Sequence, residues 1–117
     1  MKLRVHSQGF DLTPAIAARV HKRLDTLQAR FAEELINIDV YLKDLNGPKG
    51  GYDKQVIIRV HLRHRAPFSI STTHTDLYKA IDVCARRCAR SVNRNVSRQR
   101  LIRRRGLHQI ATANANL

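Results

Sequence analysis

Tryptophan is absent from the sequence, and phenylalanine and tyrosine occur three times each. So few aromatic rings leave base stacking without an obvious place in any binding mechanism. Cysteine is as sparse. Cys84 and Cys88 are the only two, and they stand four residues apart in a stretch with helical spacing, which is not the framework of a disulfide-stapled secreted domain. No run of some 18 apolar residues occurs, and the opening MKLRVHSQGF lacks the apolar stretch of a secretory signal. These absences predict a soluble, cytoplasmic chain without a membrane partner. Acids are the last scarcity: nine against 22 lysines and arginines, a net charge of +13 on 117 residues. Charge of that size is an argument about partners rather than about fold. It points to nucleic acid first, then to an anionic membrane or an acidic protein.

What is present is well patterned. KLRVHS alternates, with Leu3 and Val5 on one face and Lys2, Arg4 and His6 on the other, as a half-buried strand does. The period then changes. Thr13 is placed to cap a helix, Pro14 suits its first position, and Ile16, Val20, Leu24, Leu27 and Phe31 recur at helical spacing. INIDVYLKD alternates again, with Ile36, Ile38, Val40 and Leu42 opposite Asn37, Asp39, Tyr41 and Lys43. The turn-rich NGPKGGYDK follows as a hairpin loop. QVIIRVHLRHR turns Val56, Ile58, Val60 and Leu62 inward, FSISTTH alternates once more, and Asp76 caps a second helix.

The order is therefore β-α-β-β-β-α, an α+β class. Three consecutive strands favour an antiparallel meander, and the helical crossover sets the first two strands parallel. Each strand has one apolar face and each helix one apolar stripe. The economical arrangement is a four-stranded mixed sheet with both helices packed on one face, a layout like that of double-stranded-RNA-binding domains. Residues 1–105 form a single domain of this kind, and 106–117 a short flexible C-terminal tail beginning at Gly106, a plausible helix stop.

Residues 85–105, ARRCARSVNRNVSRQRLIRRR, hold nine arginines and no acid. At about 100° per residue, Ile81, Cys84, Ala85, Cys88, Val92 and Val96 fall on one narrow apolar stripe. That periodicity argues for a folded helix up to about Gln99 and against a basic tail. Arg86, Arg90, Arg94 and Arg98 form a second stripe, with Arg87 beside it. Like charges four apart repel by a few tenths of a kcal/mol per pair, and Asp82, four residues before Arg86, offsets only one of them. A helix built for its own stability would interleave glutamates. A stripe made of arginine, whose planar fork matches phosphate, reads instead as a contact for a polyanion. Arg19, Lys22, Arg23 and Arg30 repeat the theme more weakly on the first helix. Side by side, the two helices would offer one basic plateau suited to tracking a nucleic-acid backbone with little sequence preference.

Other residues look like chemistry and lack its spacing. Cys84 and Cys88 have no second ligand pair at metal spacing and read as small apolar core residues. NGPKGG joins two strands and lacks the Lys-Ser/Thr ending of a phosphate-binding loop. No nucleophile stands beside a base, and Asp39, Asp44 and Asp53 form no evident acid pair. The sequence gives no reason to expect an enzyme, a metal, a cofactor or a small-molecule substrate.

The element order, VHKRLDTL in the first helix and Asp76-Leu77-Tyr78-Lys79-Ala80-Ile81-Asp82 at the start of the second resemble the ribosome hibernation-promoting factor / ribosome-associated inhibitor family, also called ribosome subunit interface proteins. The resemblance covers roughly residues 1–105, and DLNGPKGGYDK looks like a sub-branch with an N-G-P-x-G-G-x-D-K hairpin. It implies a non-enzymatic translation inhibitor on the small ribosomal subunit, near the decoding centre and the mRNA and tRNA path. Lys22 and Arg23 match the family's basic pair on the first helix, and Arg87, Arg90 and Arg94 its basic positions on the second. Arg19, Arg86 and Arg98 join them from the helical wheel alone. Arg86 stands where the family commonly has an acid, and Val96 where it often has a lysine. The chain has no counterpart of the additional C-terminal domain of long members, so ribosome dimerisation by this chain alone is not expected. A general double-stranded-RNA- or DNA-binding module, or a domain for an acidic protein, would use the same basic face.

Overall fold

The computed structural model describes residues 2–45 and 53–115, with side chains through 98 and at 100–102. Strand β1 (Lys2–Gln8) leads into helix α1 (Pro14–Arg30), then strands β2 (Leu35–Asp44), β3 (Lys54–Leu62) and β4 (Phe68–His74), and helix α2 (Leu77–Ala115). The four strands form one sheet in the order β1-β2-β3-β4, with β1 parallel to β2 and the other pairs antiparallel. The α+β architecture predicted from the pattern is the one observed.

Local signals behave as their chemistry dictates. The Thr13 hydroxyl accepts the Ile16 N–H at 3.2 Å while Pro14 occupies the first turn, where its missing donor costs nothing. The Asp76 carboxylate accepts the Tyr78 N–H at 2.9 Å and starts α2. Gly9, just after β1, has φ +91°, and a Cβ there would lie 2.9 Å from the Asp44 carbonyl oxygen. Only glycine fits both the backbone and the close approach.

Register makes the core. Val5, Val40, Ile58 and Ile70 pair in sequence across all four strands, and Leu3, Ile38, Val60 and Phe68 form a second such row. Onto this face α1 buries Ile16, Val20, Leu24 and Leu27, with Phe31 at its end, and α2 buries Ala80, Ile81, Cys84, Ala85, Cys88, Val92 and Val96. Each large side chain removed from water in this way contributes about 1.5–3 kcal/mol.

Two expectations need correction. Leu35, not Ile36, fills the core at the start of β2, because the pairing with β3 is irregular between Leu35 and Asn37 and an irregular step breaks strict alternation. Helix α2 does not stop at Gly106 but runs to Ala115. A glycine within a helix costs only about 1 kcal/mol relative to alanine, and the alanines that follow favour continuation. The stretch from Arg100 to Arg105 is accordingly helical backbone. The hairpin loop of residues 46–52 lies outside the described residues. No helix among the described residues is long and apolar enough to cross a membrane.

Candidate nucleic-acid interface

The basic residues of the two helices divide by what they touch. Asp82, at the first turns of α2, is gripped from α1: Arg19 Nη1 lies 3.0 Å from Oδ2, and Arg23 Nε lies 2.8 Å from Oδ1. The Arg19 guanidinium also sits 5.2 Å from the centre of the Tyr78 ring. These two arginines join α1 to α2. The sequence assigned Asp82 to Arg86; the structure gives it to residues some sixty positions away and leaves Arg86 exposed, with no partner among the described residues. Arg30 also turns to α2, its Nη2 lying 3.5 Å from the Asn93 side-chain oxygen.

Lys22, Lys79, Arg86, Arg90 and Arg98 are exposed and have no intramolecular ion pair or hydrogen bond among the described residues. A long cation without a partner carries an unspent charge and all its donors.

Arg87 is held differently. Its Nη1 donates to the Ser71 carbonyl at 2.9 Å and to the Thr72 hydroxyl at 3.2 Å, which lays the side chain across to β4. Arg94 reaches the Ser91 hydroxyl at 3.5 Å, which leaves most of its donors free. With Arg90 they line an open groove of about 540 Å³ between α2 and β4, whose remaining wall is Ile70, Ser91 and Asn93. No acid lines it. A second groove of about 520 Å³ lies along the other flank of α2, where Arg23, Lys79 and Arg86 are accompanied by His74 and by the already paired Asp82.

Of the eight predicted contact residues, Arg87, Arg90 and Arg94 therefore converge on one groove, and Arg23 and Arg86 share the other. Arg19 is committed to Asp82, while Lys22 and Arg98 stand alone on the surface. Lys79 was missed by the sequence reading as a contact residue. Its signal was present, since it lies seven residues before Arg86 and so on the same helical face.

The cysteines are core residues. Both are buried, and the Cys84 thiol points at the Ile70 carbonyl oxygen at 3.3 Å and that of Val56 at 3.5 Å. Burial pushes the Cys84 thiol up and the Cys88 thiol up to about 12, so both stay protonated at neutral pH and neither is a nucleophile there. Among the described residues no three His, Cys, Asp or Glu side chains are grouped to hold a metal.

Comparison with known proteins bears on the family and the fold. A family model described as sigma 54 modulation protein / S30EA ribosomal protein matches residues 3–100. A ribosomal subunit interface protein from Coxiella burnetii is similar in structure, with a TM-score of 0.69 and 21% identity over 83% of this chain and 99% of its own. The N-terminal domain of Protein Y from Thermus thermophilus is similar with a TM-score of 0.67 and 25% identity over 80% of this chain and 98% of its own. No curated protein matches the chain significantly.

Proposed function

The chain belongs to the sigma 54 modulation protein / S30EA ribosomal protein family, a family of non-enzymatic ribosome-associated factors, and from that membership we propose that it is a translation inhibitor of idle ribosomes. It docks on the small subunit, near the decoding centre and in the mRNA and tRNA channel, and prevents initiation while it is there. Its place of work is then the cytoplasm.

The observation that carries this reading is the groove between α2 and β4. Among the described residues three arginines line it and no acid does, and one wall is fixed by the Arg87 bonds to Ser71 and Thr72. Guanidinium forks in a shallow acid-free groove suit the successive phosphates of a folded RNA, with shape rather than base identity deciding where it binds. Arg86 and Lys79 extend the positive surface around the helix. Arg23 contributes through charge, since its donors serve Asp82 first.

Sedimentation of the full chain with purified small subunits on a sucrose gradient at low salt tests the proposal. Co-migration with the subunits, resisting competition by excess random RNA duplex, is the expected result. A chain that stays at the top of the gradient refutes ribosome docking. Co-migration that random duplex abolishes in proportion to its concentration assigns the surface to general RNA binding instead.

A further inference from the structure

The interface on the helices leaves the solvent face of the sheet unused, and that face is built in an unexpected way. Across it Arg4, Asp39 and Arg59 pair in register on β1, β2 and β3. Asp39 is the one acid at an outward position of the four strands, yet it is only 8% exposed. Arg4 Nε lies 2.8 Å from its Oδ1, and His6 Nε2 lies 3.3 Å from the same oxygen. The acid is thus shielded and neutralised within the protein. The charged side chains this face turns to solvent are cations, Lys2, Arg4 and Arg59 with the half-buried Lys43, and Arg59 has no intramolecular partner among the described residues.

The next row brings His6 onto Tyr41, their ring centres 4.8 Å apart and their planes within 17°. The two residues are far apart in sequence, which hides a stacked pair that scarce aromatics argued against. Asp39 fixes this pair through its contact with His6 Nε2. Tyr41 and Arg59 are diagonal neighbours on adjacent strands, about 7–8 Å apart.

We propose that the open face of the sheet binds single-stranded RNA, one base stacking on the His6–Tyr41 pair while Arg59 and Lys2 meet the flanking phosphates. An ordered π surface beside an unpartnered guanidinium suits an unpaired nucleotide, because any base offers a π face and its neighbours offer phosphates. A duplex keeps its bases stacked inside and has nothing to place on the pair. An acidic peptide would engage the cations and leave the rings unused. This surface lies opposite the helices, so the chain has two nucleic-acid faces of different preference. The proposal uses none of the residues of the α2 groove, and naked RNA tests it without a ribosome.

The experiment titrates the full chain with a short fluorescent oligoadenylate, and separately with the same strand in a duplex, following label anisotropy and intrinsic tyrosine emission. The expected result is that Arg59→Ser and Tyr41→Ser each weaken single-strand binding about ten-fold, as removal of one stacking ring or one phosphate-bound cation does, while duplex binding is unchanged. Tyrosine quenching by the oligoadenylate should persist in Arg59→Ser and largely vanish in Tyr41→Ser. Arg59 is exposed, so its variant keeps the test valid should Tyr41→Ser prove unstable. Unchanged single-strand affinity in Arg59→Ser overturns the proposal, and so does a decrease of equal size for single strand and duplex.

Discussion

Helices α1 and α2 lie side by side on one face of the sheet, and both are rich in cations, but they use them differently. Arg19 and Arg23 of α1 reach across to Asp82 and fasten the helices together, with Arg30 adding its contact to Asn93. On α2, Arg86, Arg90 and Arg98 contact no acid among the described residues, and the hydrogen bonds of Arg87 and Arg94 there are to neutral groups along the groove. The difference teaches that arginine number does not measure the charge a surface can offer. One acid at the right place converts two arginines from ligands into struts, and the position four residues further on escapes.

That contrast is sharpest if the two sets are removed separately. Replacing Arg87, Arg90 and Arg94 together with alanine should lower RNA affinity on the order of a hundred-fold near physiological salt. It should also flatten the slope of log K against log salt by about 0.7–0.9 for each phosphate no longer neutralised, with little change in melting temperature. Arg19→Ala with Arg23→Ala should do the reverse, moving RNA affinity by less than about ten-fold while lowering unfolding stability by about 1 kcal/mol, a modest figure because these side chains are well solvated. Equal affinity decreases in the two variants would break the comparison.

Asp82→Ala is the smaller, more discriminating change. It frees Arg19 and Arg23 and raises the net charge by one. RNA binding measured by anisotropy should tighten a few-fold while denaturant unfolding shows a loss of roughly 1 kcal/mol. Tightening with no loss of stability would mean that the bridge does not fasten the helices.

The smallest effect belongs to the other paired acid. Burial raises the Asp39 carboxyl, but the hydrogen bonds and charge of Arg4 and His6 outweigh it and hold the group below its ordinary 3.8. A depressed folded-state pKa stabilises above that value, and the gain is lost as pH falls through the folded value. Asp39→Asn should therefore be less stable than the parent at neutral pH, by roughly 1 kcal/mol given the exposure of Arg4. The two unfolding curves should converge below 3.8. A constant gap across that range would deny the carboxylate its role.

The fold was legible because its signals are local. Alternation in β1, β3 and β4, the Thr13-Pro14 start and the stripe from Ile81 to Val96 each state an element and a buried face within a short window. The failures lie where local rules are overridden. The irregular step at Leu35 depends on pairing with a strand that comes later in the chain, and the passage through Gly106 on alanines that outweigh one poor helix former. For the candidate site, sequence spacing found the arginines of α2 but not who holds Asp82. That pairing joins residues about sixty apart, as the His6–Tyr41 stack joins residues 35 apart, and no periodicity encodes either.

The bonds from Arg87 to Ser71 and Thr72 have a consequence for the free chain. Strand β4 is an edge of the sheet, and an uncovered edge invites another chain to add a strand, which is how many β proteins begin to aggregate. Here a guanidinium occupies a backbone acceptor of that edge, and Arg90 and Arg94 stand beside it with like charge. A second copy approaching in register would meet its own arginines and an acceptor already taken. The residues proposed to meet a polyanion would thus also disfavour pairing of the free chain with a second copy along this edge.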